Sequence, residues 1–113
     1  MPKYTFDEEI KVIIDDILLE MPDVQPGNAF GLPGYYVNSK LFACVYESGI
    51  TLKLPKEKCS KLIESSDGFD AFAPLGRVMK EWIHITKENP AEFEEETGLM
   101  IESINFVKNL AKN

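Results

Sequence analysis

Few side chains in this 113-residue chain are of the kinds that carry chemistry, and their spacing restricts what they can do. His84 is the only histidine; to act as a base it needs a nucleophile or carboxylate beside it in space. It lies in the alternating run Trp82-Ile83-His84-Ile85, where a strand histidine bonded to a neighbour is expected. Cys44 and Cys59 stand fifteen positions apart with no Cys-x-x-Cys and no nearby histidine, so neither a zinc site nor a redox pair is indicated. They read as reduced, packed thiols. Glu94-Glu95-Glu96 would have to converge on one hard cation, but consecutive helix positions diverge, so the run reads as a solvated helix start. Arg77 and Lys80, after Gly76 and before Trp82, form the most informative polar cluster. A cation beside an aromatic and a turn can hold a carboxylate or phosphate, or anchor a protein interface. No catalytic residue, metal ligand set or cofactor is expected.

Charge narrows the partners. The net charge of -7 is unevenly spread: residues 1–26 carry two Lys against seven acids, residues 27–86 seven Lys/Arg against six, and residues 87–113 three against six. Affinity for long nucleic acid comes largely from neutralised phosphates, so this balance disfavours nucleic-acid binding unless Lys40, Lys53, Lys56, Lys58 and Lys61 gather on one face. No apolar run approaches the ~20 residues of a membrane span, and the N-terminus lacks a basic-then-apolar leader, so a cytoplasmic protein with no membrane partner is expected.

Positioning these residues falls to a sheet. From Phe30 to Leu54, three apolar runs separated by Asn38-Ser39 and Glu47-Ser48-Gly49 read as an antiparallel meander. Its middle strand, Lys40 to Tyr46, is apolar on both faces and should be central and covered on both sides. The segment before it, Asp23 to Gly34, reads as turn chemistry with an irregularity at Gly31 to Gly34. A further strand is predicted near residues 80–86. Thr5 and Glu8 predict a capping box opening an amphipathic helix that ends near Pro22. Pro55 opens a middle helix over residues 57–64, and Asn89-Pro90-Ala91-Glu92 starts a closing helix that Gly98 breaks or kinks, with Met100, Ile104, Val107 and Ala111 on its apolar face. Residues 1–113 thus read as one α+β domain, large enough to bury a core without disulfides.

Phe30-Gly31, Tyr36-Val37-Asn38-Ser39-Lys40-Leu41-Phe42-Ala43, Leu52-Lys53-Leu54-Pro55, and Phe72, Pro74 and Gly76-Arg77-Val78-Met79-Lys80-Glu81-Trp82 resemble the N-terminal domain of TfoX/Sxy-type proteins. Small MmcQ/YjbR-like proteins are similar in the strand-turn-strand and Lys-Leu-Pro segments. The resemblance implies a compact α+β domain with helices packed on a twisted antiparallel sheet, and a regulatory or interaction module without enzyme activity. This chain has Ala29 and Ser39 where the family often has Met and Gly. TfoX proteins that regulate competence carry a second helical domain, whereas this chain ends at Asn113, so no competence role is carried over.

Three functions follow as expectations. The first is a regulatory or protein-interaction module with an unidentified protein partner, using the sheet and the Gly76 to Trp82 turn, with Tyr35, Tyr36, Arg77, Lys80 and Trp82 as contact residues. The second is nucleic-acid binding through hairpin wings bearing the five lysines. The third is a small-molecule pocket lined by Tyr35, Tyr36, Phe42 and Trp82.

Overall fold

A computed structural model of the chain describes residues 5–29, 31–65, 67–73 and 76–110. Its elements run α1 (Glu8–Leu18), β1 (Val24–Ala29), β2 (Leu32–Val37), β3 (Lys40–Tyr46), β4 (Gly49–Lys53), α2 (Lys56–Ser65), β5 (Phe69–Ala71), β6 (Trp82–Thr86), a 3-10 helix (Pro90–Glu96) and α3 (Thr97–Leu110). The strands form one antiparallel sheet in the order β1-β2-β3-β4-β6-β5. This is the α+β architecture expected, with β3 and β6 both interior.

One face of the sheet carries the main core. Tyr35, Val37, Val45, Ile50, Leu52, Ile83 and Ile85 meet Ile10, Ile14 and Leu18 of α1 and Phe93, Met100, Ile104 and Val107 of the C-terminal helices. On α1 and α3 these apolar positions recur every three or four residues, which places them on one side of each helix. Asn89 caps the 3-10 helix as expected: its side chain accepts from the Ala91 N–H at 3.1 Å while Glu92 accepts from the Asn89 N–H at 3.0 Å. The closing segment changes from 3-10 to α-helix at Thr97, one residue before Gly98, which itself lies inside α3; Ala111 lies outside the described residues.

Three local readings are corrected. Asp7, not Thr5, caps α1; its carboxylate accepts from the Glu9 N–H at 2.8 Å and the Ile10 N–H at 3.4 Å. Thr5 is drawn elsewhere, because its carbonyl accepts from the Glu47 N–H at 2.7 Å and Phe6 forms a parallel bridge to Glu47. The supposed turn from Asp23 to Gly34 is mostly a hairpin, β1 paired with β2 from Val24↔Val37 to Ala29↔Leu32. Gly27 and Gly34 face each other across it, and the Tyr36 ring occupies the space a side chain on Gly27 would need. Pro26 is tolerated in β1 because β1 is an edge strand. Finally, β5 adds a short strand that the sequence concealed, and β6 begins at Trp82 because Lys80-Glu81 turn, with the Trp82 N–H donating to the Met79 carbonyl at 3.0 Å.

The irregularity expected at Gly31 to Gly34 lies a few residues later. Tyr35 pairs with Ala43 but Tyr36 pairs with Leu41, so Phe42 is an extra residue bulged out of β3. Pairing of β3 with β4 begins only at Ala43↔Leu52. The Ser103 hydroxyl of α3 lies 3.2 Å from the Phe42 carbonyl oxygen and 2.7 Å from that of Lys53, donating its single hydrogen to one at a time. A buried serine thus satisfies carbonyls at the place where the ladder lapses.

Candidate functional site

The second face of the sheet collects most of the side chains with chemical character. Residues directly opposite on antiparallel strands share a face, so the pairs Cys44↔Thr51, Thr51↔His84 and His84↔Asp70 set those four in one row. Thr51, His84 and Asp70 are nucleophile, base and acid by type, but not by arrangement. The His84 Nε2 lies 3.1 Å from the Tyr46 carbonyl oxygen. A carbonyl only accepts, so that nitrogen carries the hydrogen and is not the base. The Thr51 side chain is fully buried, and its hydroxyl meets no hydrogen-bond partner among the described residues. Burial pushes the Cys44 thiol up to about 11 and also raises Cys59. Both are free thiols in the protonated form at neutral pH, as expected for packed cysteines. Among the described residues, no group of three or more His, Cys, Asp or Glu side chains is placed to hold a metal ion.

An aromatic chain runs over the same face. Trp82 leans on Phe72 with centroids 6.1 Å apart, Phe72 meets Tyr46 edge-on at 5.2 Å, and Tyr46 meets His84 at 5.3 Å. The Lys53 ammonium sits 5.7 Å from the centre of the Trp82 ring and 3.9 Å from the Glu81 carboxylate. On this face of β3 Cys44 is buried, and on the other Ala43 and Val45 pack into the main core, as expected of a strand covered on both sides.

Beside Trp82 the sheet ends in an open cleft of about 500 Å³ between α2, β5 and residues 78–82. Cys59, Ile63, Ala71, Val78, Met79 and Trp82 supply its apolar surface; Lys56, Glu57, Ser60 and Lys80 supply the polar one. Val78 is 54% exposed, Met79 42% and Ile63 40%, a concentration of large apolar side chains in water.

A smaller cavity of about 310 Å³ lies between α1 and the β1–β2 hairpin. There the buried Tyr35 hydroxyl donates to Asp15 at 2.5 Å, and the Lys11 ammonium donates to the other Asp15 oxygen at 2.7 Å. Desolvation first, then this carboxylate, raises Tyr35 well above the usual phenol range, and the bond that Lys11 makes to the same carboxylate raises Lys11. Every strong group in this cavity is already partnered, so it ties α1 to β2.

The predicted contact residues therefore separate. Lys80 and Trp82 line the cleft together, with Arg77 exposed one residue before lining Val78. Arg77 makes none of the ion pairs open to it with Asp67, Asp70 or Glu81. Tyr35 is a core residue bonded to α1, and Tyr36 packs over Gly27 and donates to the Asn28 carbonyl at 3.0 Å. Because Tyr35 and Tyr36 are consecutive in a strand, they point to opposite faces. With Phe42 fully buried in the core, the four aromatics of the expected pocket do not meet. Of the five candidate nucleic-acid lysines, Lys53 is held by Glu81 and Lys58 lies 3.6 Å from Glu102, while Lys40 sits at the β2–β3 turn. Residues missed by sequence reasoning are Ile63, Val78 and Met79; their signal was apolar type at positions flanked by charge. Among the described residues, no helix is long and apolar enough to cross a membrane. The chain matches no family model, no curated protein and no solved structure.

Proposed function

We propose that this chain is a non-enzymatic, regulatory protein-interaction module that seats a partner in the cleft between α2 and the Gly76 to Trp82 turn. The observation that carries this reading is the exposure of Ile63, Val78 and Met79 around one apolar depression that Trp82 floors. Interface energy is concentrated where large apolar and aromatic side chains are desolvated together, with polar groups at the rim. The resemblance to TfoX-type N-terminal domains points the same way. The full burial of Thr51 keeps its hydroxyl from serving as an accessible nucleophile, which supports a binding role over catalysis at that position.

A photo-crosslinking amino acid at position 79 tests the reading. It should capture a defined partner that an equivalent probe at Lys108 does not, and the Ile63→Asp variant should abolish capture. Failure to capture any specific partner, together with measurable turnover of a small metabolite, overturns it.

A further inference from the structure

The cations of the described residues fall into two groups. Lys11, Lys53, Lys58, Lys87 and Lys108 each reach a carboxylate. Lys40, Lys56, Lys61, Arg77 and Lys80 reach none among the described residues. Four of these five lie in the cleft or next to it in sequence: Lys56 and Lys80 line it, Lys61 follows lining Ser60 and Arg77 precedes lining Val78. In a chain with 19 acidic residues against 12 basic ones, partners for lysine are plentiful, yet the cleft's cations stay unpaired. Among the described residues, Glu57 is the one acid lining the cleft.

From this we propose, resting on the reading that the cleft is a docking surface, that its occupant is an acidic amphipathic peptide segment. Its apolar side chains fill the depression over Trp82, and its carboxylates meet Lys56 and Lys80. The unpaired cations steer and orient an acidic ligand, while the apolar floor holds it. Other occupants fit less well. A nucleic acid or an anionic membrane would meet a molecule of net charge -7 with only a few cations at the contact. A second copy could offer acidic α1, but α1 against the cleft is a head-to-tail contact, which extends rather than closes unless the rotation happens to form a ring.

The experiment uses the full chain and a fluorescent probe peptide in which Leu and Phe are spaced among Asp and Glu, beside the same peptide with every acid replaced by its amide. The acidic peptide should bind, more weakly as salt rises, and about tenfold or more weakly to the Lys56→Glu/Lys80→Glu variant. Both substituted side chains are exposed, so an unchanged circular dichroism spectrum is expected. Equal binding of the amide peptide, or no effect of charge reversal, overturns the acidic preference. If Met79→Asp still abolishes that binding, the docking surface stands without it. If neither peptide binds, or if anionic vesicles, DNA or self-association occupy the cleft instead, the inference fails. Failure of the underlying reading looks different: peptide binding indifferent to both Ile63→Asp and Met79→Asp.

Discussion

Gly49 opens β4 where the chain has no room for a side chain. A Cβ there would run into the Ile85 carbonyl oxygen of the neighbouring strand, a backbone atom that cannot swing aside. Gly49→Ala should therefore cost about 2 kcal/mol or more, read as a lower urea midpoint with the slope unchanged. Tyr35 makes a second residue-scale prediction. Tyr35→Phe removes a hydrogen bond to a carboxylate and should destabilise by roughly 1.5–3 kcal/mol. It should also change the alkaline limb of the stability curve. Folding raises both the Tyr35 phenol and the Cys44 thiol, so above the unfolded values the native state holds protons that the unfolded chain has lost. Stability is then fully present well below pH 9, the midpoint of an unfolded thiol, and declines as pH rises through that value toward the folded Cys44 value of about 11 and beyond. Tyr35→Phe and Cys44→Ala should each flatten that decline, measured by urea titration at successive pH values.

At the scale of elements, α3 is pinned to the sheet by one hydroxyl. Ser103→Ala leaves the Phe42 and Lys53 carbonyls without it in a buried place, and a loss of about 1–3 kcal/mol is expected. Amide exchange should quicken first in α3. Elements were legible wherever their own residues dictated them. β3 is legible over its full length because the six residues after Lys40 are apolar on both faces, and the Asn89 cap because capping is settled within four residues. The β1–β2 hairpin is hidden because Pro26, Gly27 and Gly34 argue locally for a turn; only the folded sheet brings the Tyr36 ring over Gly27 and the Leu41 side chain of β3 against Gly34. The Asp7 cap was hidden because the bridge from Phe6 to Glu47 spans the sequence distance between two loops. Of the site, Lys80 and Trp82 were legible as a cation beside an aromatic, whereas Ile63 joins them from α2 through folding alone.

At the scale of the molecule, acid dominates both ends of the chain and unpaired base marks one cleft. Surface self-repulsion of this kind is screened by salt, so modest salt should raise the melting temperature of the free protein while weakening an acidic ligand. The two trends, opposite in sign, separate folding from binding in one titration.

Trp82 is the sole tryptophan, and it is at most 9% exposed, with a lysine ammonium on one side and the cleft on another. The fold has thereby placed its only strong fluorophore at the wall of its candidate site. Emission excited at the indole band should be blue-shifted in the native protein and shift red on unfolding. It should change in intensity when the cleft fills, and the Lys53→Met variant should alter the starting intensity by removing the ammonium from the ring. No label is needed to watch this surface, because the molecule carries its own optical reporter there.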